Sequence, residues 1–251
     1  MKKLKEMYHW LRADEWITLD QSKTPQGCGE PPPPLQKTMN DAIQYVKLPP
    51  VELLDLGNIP LRDVIYHRAS RRKFRDESLT LQELSFLLWA TAGIRGIRKE
   101  GESAFRTVPS GGCRHPFETY LAVKNVDGVM PGLYLYQPFN HEICYLRLIP
   151  NYEEQIQEAC LGKTFCAHAP LLFIWTAIPY RTEWRFGPVS PKLIALDAGH
   201  MCQNLYLAAE SINCGTCAIA AYHQQKADKL VDVDGVEEFV IYMAPVGKKD
   251  E

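Results

Sequence analysis

Thr119-Tyr120-Leu121-Ala122-Val123, Gly132-Leu133-Tyr134-Leu135-Tyr136 and Ile143-Cys144-Tyr145-Leu146-Arg147 follow one another within 29 residues, 119–147. Aromatic and branched side chains of this kind fit a pleated, half-buried backbone. Three such runs in succession predict a meander of antiparallel strands. Downstream, Pro170-Leu171-Leu172-Phe173-Ile174-Trp175-Thr176-Ala177 is a continuous apolar run and reads as a buried strand. Glu238-Phe239-Val240-Ile241-Tyr242-Met243-Ala244 reads as the last one. Between these lie helical patterns over 152–161 and, much longer, over 193–212.

Upstream, Thr80-Leu81-Gln82-Glu83 has capping-box spacing, and apolar positions 81, 84, 87 and 88 share a helical face until Gly93. Ile59 to Arg68 suits a short amphipathic helix with Pro60 near its first turn and apolar residues at 61, 64 and 65. A loop rich in Gly, Ser and Pro follows the capped helix. Helices alternating with strands of one sheet give an α+β fold.

With 251 residues, 46% hydrophobic and 23% charged, the chain can bury the core of one globular domain with extensions. Residues 1 to about 60 are irregular in pattern, and Pro31-Pro32-Pro33-Pro34 favours an extended polyproline segment. The expected organisation is an N-terminal extension, 1–47, and a domain, 48–251. A formal net charge of -2 gives no long-range attraction for nucleic acid or an anionic membrane surface. The first residues carry no apolar core of a signal peptide and no later run is long enough to span a bilayer, so a soluble, cytoplasmic protein is expected. Eight scattered cysteines then read as reduced thiols, several of them small core residues.

Three constellations carry chemistry. In Arg68-Ala69-Ser70-Arg71-Arg72-Lys73-Phe74, five of seven side chains are hydrogen-bond donors suited to a phosphate. Taken alone, the run also reads as a solvated charge cluster of the sort common at helix ends. In the segment 106–116, Pro109-Ser110-Gly111-Gly112 lies beside Arg114 and His115. Its glycines let backbone approach a flat ligand and its prolines fix the loop, though an ordinary turn has the same composition. In the long helix, small residues at 198, 199, 208 and 209 allow close approach of a helix or subunit, and Asp197, His200, Gln203 and Asn204 share a helical spacing. Gly215 is expected to end that helix and the small residues after it to set amides against a ligand edge.

Cys214-Gly215-Thr216-Cys217 has no second cysteine pair to complete a zinc site, and a helix C-terminus does not lower a thiol pKa. No metal site is expected. No glycine-rich strand-to-helix turn of the dinucleotide type occurs either.

Taken in order, Leu48-Pro49-Pro50, the Arg68–Phe74 run, the helix from Leu81 to Gly93, Pro109-Ser110-Gly111-Gly112 with His115-Pro116, Gly199-His200 with Gln203-Asn204-Leu205, Asp234-Gly235 and Pro245-Val246-Gly247 resemble the nitroreductase superfamily. The likeness is to its SagB-type dehydrogenase branch and runs from about residue 48 to residue 248. The resemblance implies a central, mostly antiparallel sheet of four or five strands flanked by helices, an intertwined homodimer, and one FMN at each subunit interface. Arg68, Ser70 and Arg72 would hold the phosphate, with Lys248 as a further contact. Pro109, Ser110 and Gly111 would approach the ring from the partner subunit. The backbone of Ala218, Ile219, Ala220 and Ala221 would follow its edge, with an amide near Ala220 at N5, where charge develops as hydride arrives. Arg114, His115 and Trp184 would line a substrate pocket.

Two departures matter. The family often has Gly where Ala220 or Ala221 stands. Azoline dehydrogenases of this branch are associated with a Lys-Tyr pair before the long helix, where this chain has Arg185-Phe186, neither of which serves as a base at neutral pH. The expected activity is therefore ping-pong hydride transfer by FMN from NADH or NADPH to an electron-poor small molecule, a nitro compound or quinone. A SagB-type azoline dehydrogenase of peptide natural-product biosynthesis and a non-catalytic flavin-binding partner protein are the alternatives.

Overall fold

Strand β4 (Phe117–Val123) is buried along its whole length. Phe117, Leu121 and Val123 enter one apolar cluster and Tyr120 and Ala122 another, the alternation that a period-two backbone imposes. A strand with two apolar faces needs cover on both sides. In the computed structural model, which describes residues 8–39, 44–98 and 103–250, helices supply it.

β4 pairs with β5 (Gly132–Gln137) on one side and β7 (Leu171–Ala177) on the other. β6 (Glu142–Arg147) continues the meander beyond β5, and β9 (Phe239–Lys248) lies beyond β7. β1 (Gln44–Lys47) and β8 (Cys214–Thr216) form the edges, giving the order β1-β6-β5-β4-β7-β9-β8 with every neighbouring pair antiparallel.

One face of the sheet packs against α3 (Leu81–Ala92) and α7 (Ser190–Ser211), through Leu84, Leu87 and Leu88 on the first and Ala198, Met201, Leu205 and Ala209 on the second. The other packs against α4 (Tyr152–Ala159), α5 (Thr164–His168) and α8 (Gln224–Val231), through Ile156, Ala167 and Leu230. Shorter helices α1 (Glu15–Thr18), α2 (Leu61–His67) and α6 (Tyr180–Phe186) complete the set among the described residues. The capping box at α3 is formed as expected: Thr80 Oγ1 accepts from the Glu83 amide at 3.2 Å, and Glu83 Oε2 accepts from the Thr80 amide at 2.9 Å. No described helix is long and apolar enough to cross a membrane.

The structure corrects the sequence reading in three places. The described sheet has seven strands, not four or five, because β1 and β8 extend it by runs of four and three residues. Runs so short leave no periodic signal. β1 also lies upstream of residue 48, so the sheet begins within the segment read as an extension. The loop expected after α3 contains a small hairpin, β2 (Ile94–Arg98) with β3 (Ser103–Arg106). Lastly, Gly215 does not end the long helix. α7 closes at Ser211, Asn213 takes the left-handed conformation at φ +57°, and Gly215 is the middle residue of β8. Asparagine tolerates that conformation at little cost.

Segment 24–37 is tied down by polar contacts. The Gln26 amide donates to Trp184 O (2.8 Å), Trp184 Nε1 to Glu30 O (2.9 Å), Arg106 Nη2 to Leu35 O (2.8 Å) and the Lys37 amide to Glu118 Oε1 (2.7 Å). Its proline run joins no helix or strand, as expected.

Candidate functional site

The basic run leaves α2 and lies along the β8 edge of the sheet. The Arg71 amide donates to Thr216 O at 2.9 Å and the Arg75 amide to Lys248 O at 3.1 Å. Two glycines make room for this. A Cβ on Gly215 would stand 2.8 Å from Arg71 Cβ, and one on Gly247 2.9 Å from Phe74 Cβ, well inside van der Waals contact. Tethered at 71 and 75, the segment projects Arg72 and Lys73 outward, with Arg68 half-buried beside them.

Tyr206 of α7 organises what surrounds the run. Its hydroxyl lies 2.9 Å from Ser70 Oγ and accepts from the Ala218 amide at 2.8 Å, while the Arg68 guanidinium stacks over its ring at 5.4 Å. One side chain thus gathers Arg68 and Ser70 of the basic run with Ala218, more than 140 residues further along the chain. The sequence reading passed over Tyr206, since a tyrosine on a largely buried helix also reads as core. With the Ala218 amide on one lone pair, the phenolic hydrogen can go to Ser70 Oγ, leaving the serine hydrogen for an external anion.

The charge balance is uneven. Lys248 is ion-paired with buried Glu83, and Lys249 Nζ with buried Glu210 at 2.8 Å. Among the described residues Arg68, Arg72 and Lys73 form no ion pair. Cations left without carboxylates, in a run that also carries a serine hydroxyl, have the donor chemistry that an anion requires.

Beyond Ala218 the chain runs on as a strip. The Ile219 amide donates to Met243 O at 2.7 Å and the Met243 amide returns to Ile219 O at 3.2 Å. Ala220 and Ala221 are exposed, and neither amide donates to an acceptor among the described residues.

The Pro109-Ser110-Gly111 loop is held elsewhere. Ser110 Oγ donates to Asp197 Oδ2 at 2.6 Å and the Gly111 amide to the same carboxylate at 3.1 Å. Burial raises the Asp197 pKa against the opposing pull of these donors. Asn204 Nδ2, on the same helix, donates to Ala90 O at 2.9 Å, whereas Gly199, His200 and Gln203 are exposed. Asp197 and Tyr206 stand nine residues apart on α7, about 13 Å at 1.5 Å per residue. Within one chain, loop and basic cluster do not meet.

Arg114, His115 and Trp184 come together, but in the interior. Arg114 stacks over the Trp184 ring at 4.7 Å and its Nε donates to Arg181 O at 2.8 Å. His115 Nε2 lies 3.1 Å from Ala104 O, and burial together with the charges of Arg106, Arg114 and Arg181 holds its pKa down to about 3. Arg185 stacks over Phe186 at the end of α6. Cys214 and Cys217 are buried free thiols, and no group of three or more His, Cys, Asp or Glu side chains that could hold a metal occurs among the described residues.

A family model for the nitroreductase family matches residues 65–248. The chain belongs to the nitroreductase family. A nitroreductase-like protein of Methanocaldococcus jannaschii is 33% identical over 201 residues, 80% of this chain and 97% of the relative. The trifolitoxin-processing protein of Rhizobium leguminosarum bv. trifolii is 32% identical over 114 residues, which are 44% of this chain and 31% of that one. A Ralstonia eutropha nitroreductase-like structure superposes with a TM-score of 0.68 at 24% identity, over 88% of this chain and 99% of the other, a likeness that speaks for the fold. Nitroreductase-family proteins generally use FMN, and the residues here fit it. Cations without carboxylate partners are the donor type that a phosphate requires, and the amides of Ala220 and Ala221, uncommitted among the described residues, are the type that a ring edge requires.

Proposed function

We propose that this nitroreductase-family oxidoreductase binds FMN and moves hydride from NADH or NADPH to an electron-poor small molecule, a nitro compound or quinone, in alternating half-reactions. The observation that carries the reading is Tyr206, which joins Arg68 and Ser70 to Ala218 at the start of the strip 218–221, in a run whose Arg68, Arg72 and Lys73 form no ion pair among the described residues. Arg68, Ser70 and Arg72 hold the phosphate; Ala220 and Ala221 offer amides to the ring edge. Lys248, already paired with Glu83, adds to the local field more than to direct contact. Bound FMN supplies the hydride chemistry, and the fixed donors favour its reduced form.

A homodimer completes the site in this reading. Pro109, Ser110 and Gly111 approach the ring from the second copy, across the face of α7 that exposes Leu196, Gly199, His200 and Gln203. Arg114, His115 and Trp184 act from behind this loop, shaping the pocket instead of touching substrate. Free thiols at all eight cysteines suit the reducing conditions of the cytoplasm.

The test is the visible spectrum of the purified protein after FMN addition, recorded anaerobically before and after each nicotinamide. We expect a flavin spectrum bleached by NADH or NADPH. In Arg68→Ala/Arg72→Ala the loss of two charge-assisted contacts weakens FMN binding by on the order of 100-fold or more. A protein that takes up no FMN, or a double variant that binds it as tightly as wild type, refutes the assignment.

The similarity to a trifolitoxin-processing protein favours a second reading, azoline oxidation in a peptide natural-product pathway. Bleaching by an azoline peptide, with nicotinamide ineffective, would establish it. Arg185-Phe186 in place of a base-bearing pair argues against it. A non-catalytic flavin-binding role is eliminated by multiple turnovers with any acceptor other than oxygen.

A further inference from the structure

The strip that ends in Ala220 and Ala221 is fixed at its start by backbone pairing between Ile219 and Met243. Its far end is fixed differently. Lys163, in the turn between α4 and α5, donates from Nζ to Ala221 O at 2.8 Å and to Cys160 O at 3.0 Å. The His223 amide donates to Ala159 O at 2.8 Å, so the same turn also receives the chain as it leaves the strip. Lys163 is half-buried and forms no ion pair among the described residues. Its ammonium is spent on two carbonyls, and one of them belongs to the exposed strip.

An exposed peptide with uncommitted amides samples many orientations unless something holds it, because fixing each residue costs conformational entropy. A charged donor shared between two carbonyls is a strong restraint. The nearby Leu161 and Gly162 both have positive φ, +54° and +77°, which sets the tight turn that aims Lys163 back at the strip. A lysine serving only solubility would leave its ammonium in water.

We propose that Lys163 is a positioning residue for hydride transfer, fixing the Ala220–Ala221 amides toward bound flavin by clamping Ala221 O to the end of α4. The inference rests on the FMN reading above. The clamp keeps those donors oriented before charge arrives, so no reorganisation is needed as the ring is reduced. It also keeps a formal positive charge at the end of the strip, which favours the reduced state in the same direction.

The decisive measurement is the two-electron midpoint potential of FMN bound to wild type, Lys163→Met and Lys163→Arg, with FMN dissociation constants and circular dichroism measured in parallel. In Lys163→Met the potential should fall by about 30 mV, a tenfold shift of the equilibrium toward oxidised flavin. Lys163→Arg, which keeps charge and donors, should restore most of it. FMN affinity should stay within about threefold, since the phosphate cluster is untouched. A merely structural role would lower stability and leave the potential where it was. Wild type and Lys163→Met with equal potentials overturn this inference alone; a wild-type protein that takes up no FMN overturns the functional reading and this one with it. Should Lys163→Met fail to fold, Lys163→Leu likewise removes both charge and donor, and an unchanged potential there is equally fatal.

Discussion

At the scale of single residues, the interior around His115 is unusual in how much positive charge it holds. Arg106, Arg114 and Arg181 are all buried there, with Glu118 pairing Arg181. Burial lowers Arg106 itself to about 10. In that setting His115 stays neutral across the physiological range, its pKa of about 3 lying below the ordinary value of 6.5. The folded state therefore resists a proton that the unfolded chain accepts. The stability contributed by a neutral His115 is fully present above pH 6.5 and is lost as pH falls from there toward 3, at up to about 1.4 kcal/mol per pH unit. Denaturant unfolding of wild type and His115→Gln at pH 7.5, 6 and 5 checks this. The difference between them should shrink as pH falls, and a constant difference would contradict it. Asp197, with its raised pKa, acts in the opposite sense and is common to both proteins.

Among structural elements, the basic run and β8 approach closely enough to exclude a Cβ at residue 215. Gly215 sits against the Arg71 side-chain stem, and Arg71 is hydrogen-bonded through its amide to Thr216. Gly215→Ala must push residues 68–74 off the sheet edge. Overpacking of this kind costs typically about 1–3 kcal/mol. We expect urea unfolding to show that loss and FMN binding to weaken by at least about tenfold, one decade per 1.4 kcal/mol. Normal FMN affinity in this variant would mean that the segment's path does not define the phosphate site. The α3 capping box ties in here too, because Glu83, which closes the box, also pairs with Lys248 at the end of β9. Start of helix, end of strand and basic run are thereby joined in one corner.

The arrangement of the whole molecule separates two halves of the proposed site. The basic cluster and the Pro109–Gly111 loop both lean on α7, through Tyr206 and Asp197, some 13 Å apart along its axis. If each ring is held between two copies, variants broken in different halves complement each other. Arg68→Ala/Arg72→Ala and Pro109→Trp, each deficient alone, should on refolding together give mixed dimers with one intact site. About half of the mixed dimers' FMN capacity should then return, as one of their two sites is whole. Absence of recovery, with mixed dimers present, would place both halves in one chain's own site.

Much of this was legible in the chain. The meander at 119–147, the capping box at Thr80 and the long helix all stood at the expected places, because each is written in local periodicity or local hydrogen-bonding chemistry. So was the donor-rich character of Arg68–Lys73, which is a matter of side-chain type. Tertiary structure decided the rest. β1 and β8 are strands only because a neighbour's edge is there to pair with, and no run of three or four residues announces that. Asn213, and not Gly215, closes α7, since close approach of Arg71 claims the glycine for another purpose. Arg114, His115 and Trp184 look like polar pocket residues in sequence, yet the fold buries them behind segment 24–37. Tyr206 and Lys163 gain their roles from partners 136 and 58 residues away. Sequence alone determined the elements with a long periodic or capping signal and the chemistry that the chain carries; packing decided the short edge strands, and which donors stay free and which are spent inside, because these depend on contacts between residues far apart along the chain.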